Sequence, residues 1–246
     1  EVHITPGSYE EDAMKDLREE INKQRISVLE KGAGEVIASS YYQLIYLYPK
    51  DVNYEGNDDS LVLSMENAYF KGLFIGDLES KGERVLATEY SKQIEGQTIL
   101  KLGHHGSKTS STQLFLEKAN PKFAIVSAGL NNRYGHPHPE VVERLNKLDI
   151  PYFQTGKDGS IEVIITKKGE VTIFFFFNRE KGLVYILDKT LLMNYRARNS
   201  ITTAITNMIV KNPKETTKPT PESIASLRFD CTFCSNSFIV TPPIST

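Results

Sequence analysis

The stretch Thr98-Ile99-Leu100-Lys101-Leu102-Gly103-His104-His105-Gly106-Ser107-Lys108-Thr109-Ser110-Ser111 divides at Gly103. The residues before it form a short apolar run of the kind that makes a buried strand. The residues after it are two adjacent histidines between glycines and a run of hydroxyl side chains, which reads as a loop. Working outward, Thr112 to Lys118 reads as a short helix and Phe123 to Ser127 as a second buried strand. Pro139 to Leu148 is a helix with its proline in the first turn, where the missing N–H costs nothing. Upstream, Lys81 to Tyr90 is a helix, Ser60 to Ser64 and Gly72 to Ile75 form a hairpin, and Gln43 to Tyr48 is a strand stopped by Pro49. Hairpins on one side and strand–helix–strand alternation in the middle predict a mixed α/β sheet protein with helices over its outer faces.

Towards the ends the pattern changes twice. Met14, Leu17 and Ile21 recur at helical spacing between Asp12 and Gln24, giving one amphipathic helix. Tyr152 to Gln154, Ser160 to Thr166 and Val171 to Phe177 read as strands, the last two separated by Lys167-Lys168-Gly169. After that, Thr, Lys, Ser and Pro crowd the chain and the strand periodicity is lost. The expectation is a compact part over 1–177 and a poorly ordered tail over 178–246, with a helix near Leu183 to Tyr195.

Twenty-nine basic residues against thirty-one acidic ones give a net charge of −2, so any attraction to a polyanion has to be local. No run approaches the roughly 20 apolar residues of a spanning helix, and Glu1 to Pro6 is not a signal peptide, so the chain as given is expected to be soluble. Cys231 and Cys234 form a lone C-x-x-C far from every histidine, without the four ligands of a structural zinc site.

Three clusters, each following an apolar strand, carry chemistry. In Leu73-Phe74-Ile75-Gly76-Asp77-Leu78-Glu79 a carboxylate follows a strand and a glycine; alone, an Asp there is more often a helix cap or a turn residue. In the His104-His105 loop, neighbouring side chains on extended backbone would face opposite ways, one imidazole to a metal and one to substrate, with Ser107 and its neighbours as phosphate donors. In Asn131-Asn132-Arg133-Tyr134-Gly135-His136-Pro137-His138-Pro139, Arg133 suits a bidentate phosphate contact and His136 a phosphoryl oxygen, while His138 is equally a surface cap.

Taken in order, Asn57-Asp58-Asp59-Ser60-Leu61-Val62-Leu63, G-D-L-E at 76–79, H-H-G-S at 104–107 and Y-G-H-P at 134–137 resemble the metallo-β-lactamase superfamily, and within it the C-terminal hydrolase domain of ComEC-type DNA-uptake competence proteins. The resemblance runs from about residue 1 to 175. It implies an αββα-sandwich fold, incomplete at the N-terminus, and a metal-dependent phosphodiesterase or nuclease that degrades the non-transported strand during DNA uptake. It implies two divalent ions, zinc or manganese, with Asp77 and His105 as ligands. It further implies Asp77 and His104 as catalytic groups, and His104, Ser107, Arg133 and His136 as substrate or phosphate contacts. The order of His104 and His105 stays open on sequence.

The superfamily's H-x-[HD]-x-D-H loop does not occur among histidines 3, 104, 105, 136 and 138. In the family it would precede the segment resembling Glu1 to Thr5, so the expectation is that it has been cut off and that this chain binds metal weakly or not at all. The resemblance also implies a parent embedded in the cytoplasmic membrane, its hydrolase domain on the outer face. A small-molecule ester or phosphodiester hydrolase of the same fold, and a non-catalytic remnant, are the alternatives.

Overall fold

A computed structural model describes residues 1–39, 42–50, 56–166 and the strand segments 171–178, 183–187, 209–211, 223–229 and 239–241. Strand β1 (Val2–Ile4) pairs in parallel with β2 (Val28–Glu30), and α1 (Lys15–Gln24) lies between them in sequence. The main sheet has seven strands in chain order: β3 (Val36–Ala38), β4 (Gln43–Tyr48), β5 (Val62–Glu66), β6 (Lys71–Phe74), β7 (Ile99–Lys101), β8 (Phe123–Val126) and β9 (Tyr152–Gln154). Its first four strands are mutually antiparallel and its last four parallel, so β6 belongs to both sets. The parallel crossovers run through α2 (Ser80–Glu89), α3 (Ser91–Ile94), α4 (Gln113–Ala119) and α5 (Pro139–Lys147). The mixed α/β reading is borne out, and for β4 to β9, α2, α4 and α5 the limits lie within one or two residues of those expected.

Alternate residues of the parallel strands explain the packing. Leu73, Leu100, Ala124 and Val126 join Leu86, Ile94, Leu116, Val141 and Leu145 of the helices in one buried core. A leucine fully withdrawn from water stabilises the fold by about 1.5–3 kcal/mol. The alternate positions Phe74, Ile99, Lys101 and Ile125 are buried too, so these strands are covered on both faces, as parallel sheets require.

After α6 (Thr155–Asp158), β10 (Ser160–Thr166) and β11 (Val171–Asn178) form an antiparallel hairpin at the centre of a second, six-stranded sheet. Its other strands are β12 (Leu183–Leu187), β13 (Ile209–Lys211), β14 (Ser223–Phe229) and β15 (Ile239–Thr241). Four strands therefore fall in the segment read as tail, and Leu183–Leu187 is strand where a helix was expected. Its apolar, β-branched run pairs with β11, and that pairing overrides the local pattern. The remainder of the segment, with Cys231 and Cys234, lies outside the described residues. No helix among the described residues is long and apolar enough to cross a membrane.

Candidate functional site

Three loops leave β6, β7 and β8 at their C-terminal ends. Because these strands are parallel neighbours, the loops emerge on one edge of the sheet, beside the point where strand direction changes. Asp77, His104, His105, Ser127, Asn132, Tyr134 and His136 accordingly line one cavity of about 250 Å³. Asp77 also borders a larger cavity of about 710 Å³ on its other side, with His3, Tyr46, Ser60 and Lys101 in the wall.

Asp77 reaches the cavity through Gly76, whose φ of +54° and contact with Ser60, 2.9 Å from an added Cβ, leave no room for a side chain. The cap reading of Asp77 fails because Asp58 already does that work: its Oδ1 accepts from the Glu79 amide at 3.2 Å and the Gly82 amide at 3.0 Å, at the start of α2. Asp77 Oδ1 is left buried without a hydrogen-bond partner. Lys101, fully buried nearby, is pushed down to about 8 by burial, while the charge of Asp77 pulls it up.

The two histidines are not on extended backbone. His104 (φ 45°, ψ 42°) and His105 (φ 57°, ψ 19°) are both left-handed, a conformation that costs non-glycine residues about 1–2 kcal/mol each. The consecutive left-handed residues bring both rings to the same cavity, centroids 6.5 Å apart, instead of sending them to opposite sides. The turn is fastened on both flanks. The His104 amide donates to Gly76 O at 3.1 Å. Downstream, buried Glu83 accepts from Ser110 Oγ (2.9 Å), the Ser111 amide (2.5 Å) and the Thr112 amide (2.7 Å). Arg144 donates to the carbonyls of Ser110 and Ser111, both at 3.1 Å.

Each ring has an assigned orientation. His105 Nδ1 lies 2.8 Å from Ser127 O, which only accepts, so the proton sits on Nδ1 and the Nε2 lone pair faces Asp77 Oδ1 at 3.6 Å. Burial, then the Lys101 ammonium, push His105 below the ordinary histidine range against the pull of Asp77. Two lone-pair atoms bound to one tetrahedral ion at about 2.0–2.2 Å stand roughly 3.4 Å apart, close to the 3.6 Å between these two atoms. Among the described residues no group of three or more His, Cys, Asp or Glu is disposed to hold a metal. His104 Nδ1 faces Glu79 Oε1 at 3.1 Å, and Thr109 Oγ1 donates to the same oxygen at 3.0 Å, which turns His104 Nε2 away from Glu79.

His136 is pushed down to about 4 by burial and by the neighbouring His138, His104 and His105. Ser107 and Arg133 are not among the lining residues. Ser107 is buried with its hydroxyl 3.0 Å from Thr109 Oγ1, and Arg133 is exposed and donates to the Tyr134 hydroxyl. His138 Nδ1 accepts from the Lys108 amide at 2.9 Å and so ties the loop after β8 to the loop after β7.

No family model matches the chain. ComE operon protein 3 of Bacillus subtilis is 33% identical over 160 residues, 65% of this chain and 20% of its own length. Competence protein ComA of Neisseria gonorrhoeae is 35% identical over 117 residues, 48% of this chain and 17% of its own. Recombination protein 2 of Haemophilus influenzae is 34% identical over 107 residues, 44% of this chain and 13% of its own. The chain is a relative of the ComEC family. It spans only a fifth or less of the length of these ComEC-family proteins.

In this ComEC relative, sequence reasoning passed over Asp58, Glu79 and Glu83 as site-building residues. Asp58 and Glu79 stand inside the motifs themselves. Their signal was the excess of backbone donors around them: a helix start needing acceptors for Asp58, and a hydroxyl-rich loop for Glu79. Glu83 gave no such signal, because a Glu in Ser-Lys-Gly-Glu-Arg reads as a solvent-facing helix position.

Proposed function

We propose that this chain supplies part of a metal-dependent phosphodiesterase site that acts on DNA in competence, built on a metallo-β-lactamase fold. The observation that carries the reading is the buried, unpartnered Asp77 Oδ1 facing the His105 Nε2 lone pair at 3.6 Å. The change of strand direction beside the cavity and the presence of a six-stranded sheet besides the seven-stranded one fit the sandwich. The competence relatives favour DNA as the polymer, within a larger protein associated with the cytoplasmic membrane.

Asp77 and His105 would hold a divalent ion, zinc or manganese, which supplies a lowered water pKa and neutralises charge on a phosphoryl oxygen. His104, its proton kept on Nδ1 by Glu79, turns Nε2 to the cavity, where it accepts a proton from an attacking water. His136 is neutral at pH 7 and donates a ring N–H to a non-bridging oxygen. Arg133 offers a cation to an approaching backbone phosphate at the rim. Two protein ligands hold an ion only weakly, so the remaining ligands of a working centre have to come from an H-x-[HD]-x-D-H segment.

The test is cleavage of fluorescent DNA with Mn²⁺ or Zn²⁺, by this chain and by a version preceded by such a segment. The chain alone should cleave little. The extended version should cleave in a chelator-sensitive way and lose about 100-fold or more on Asp77→Asn or His105→Ala. Strong chelator-sensitive cleavage by the chain alone would overturn the two-ligand reasoning. Cleavage by neither would favour a small-molecule hydrolase or an inactive remnant.

A further inference from the structure

The loop after β8 exposes side chains that a fold ordinarily covers. Leu130 is 61% and Tyr134 53% exposed, and Tyr134 also lines the cavity that holds Asp77. The loop is nonetheless tied down: Asn132 Oδ1 accepts from the His136 amide at 2.9 Å, and Asn132 Nδ2 donates to the carbonyls of Gly129 (2.9 Å) and His136 (2.6 Å). Inward from Tyr134 runs a ladder of rings. Tyr134 stacks on His136 at 5.6 Å and 23°, and His136 stacks on His105 at 6.4 Å and 18°. At the outer end the exposed Arg133 guanidinium lies over Tyr134, its Cζ 4.6 Å from the ring centre.

We propose that the outer end of this ladder, the Arg133 guanidinium backed by the Tyr134 ring, stacks an unpaired nucleobase, so that the site takes single-stranded rather than closed duplex nucleic acid. The proposal rests on the reading above that the cavity receives DNA, and it adds how the strand is held. Every base has a π-face that stacks on an aromatic ring or a guanidinium plane, which makes such a platform tolerant of sequence. In a duplex those faces are already occupied, and freeing one costs a few kcal/mol. With a net charge of −2 any attraction to the phosphates has to be local, and contacts to the base faces are what would separate a base-bearing strand from an abasic one of equal charge. The fixed loop means that little ordering cost is added when a base arrives.

The experiment is fluorescence anisotropy of the full chain with dye-labelled oligothymidylate, an abasic strand of equal length and charge, and a duplex, all in excess chelator. Oligothymidylate should bind at least about tenfold tighter than the abasic strand or the duplex. Tyr134→Ala should weaken that binding about 5- to 100-fold, the range that loss of a base–aromatic stack produces, while Tyr134→Phe stays close to the parent. Circular dichroism of both variants checks that the exposed position has not altered the fold. Equal binding of abasic and base-bearing strands, no measurable binding, or an unchanged Tyr134→Ala would overturn the proposal. Because the chelator removes metal, base-dependent binding by the chain without metal-dependent cleavage by the version carrying an H-x-[HD]-x-D-H segment would leave the stacking rim standing and sink the phosphodiesterase reading. Cleavage with base-independent binding would do the reverse.

Discussion

Replacing Glu83 with alanine should unfasten the histidine loop from α2. Its carboxylate is buried, and three donors converge on it: the Ser110 hydroxyl and the amides of Ser111 and Thr112. Burial pushes Glu83 up from the ordinary carboxylate range, and those three bonds pull it back. An uncompensated buried donor costs about 1–3 kcal/mol, so two amides and a hydroxyl amount to roughly 3–9 kcal/mol before water enters the vacated volume. Allowing for that entry, the loss should be about 3–5 kcal/mol, a large share of the 5–15 kcal/mol typical of a whole domain. Urea unfolding followed by circular dichroism reads this directly: with a slope of about 2 kcal/mol/M, the midpoint falls by roughly 1.5–2.5 M. Glu83→Gln keeps one acceptor oxygen but sets an amide N–H against a backbone donor, so it should lie between alanine and the parent. A Glu83→Ala midpoint within about 0.3 M of the parent would refute the idea that this carboxylate holds the loop.

Asp58→Ala removes the acceptor for the Glu79 and Gly82 amides and should cost about 1–2 kcal/mol, read as a lower melting temperature. An unchanged melting temperature would mean that water replaces the cap. His136, held near 4 against an unfolded value of about 6.5, contributes stability that is fully present above 6.5 and lost as the pH falls towards 4. His136→Gln should therefore withstand acid slightly better than the parent in a pH titration of the far-ultraviolet signal, the gain being small because the ring is partly exposed to solvent. Acid unfolding at the same or a higher pH in the variant would contradict this.

The parts of the fold that were legible in sequence are those whose signal is local. The runs Ile99–Lys101 and Phe123–Val126 are buried on both faces and end at loops, and Pro139 marks the first turn of α5. Val28–Glu30 and Val36–Ala38 carry no such mark, being three residues long and only partly buried; pairing makes them strands, the first with β1 across α1 and the second with its hairpin partner β4. The segment Leu183–Leu187 is the same case with a stronger apolar run. In the site, the loops that meet follow from strand order, which the alternating pattern suggested. The left-handed turn at His104 and His105 and the burial of Glu83 depend on tertiary contacts with Gly76, Ser110 and Thr112, and no local window contains those.

The claim at the centre is that Asp77 Oδ1 and His105 Nε2 face a common ion. Manganese binding to this chain, followed by the electron paramagnetic resonance of free Mn²⁺, tests it most directly. The account predicts weak one-to-one binding that Asp77→Asn and His105→Ala each reduce by about tenfold or more, with His138→Gln close to the parent. Binding that neither substitution alters, or no binding by the parent at any concentration of the ion, would contradict it.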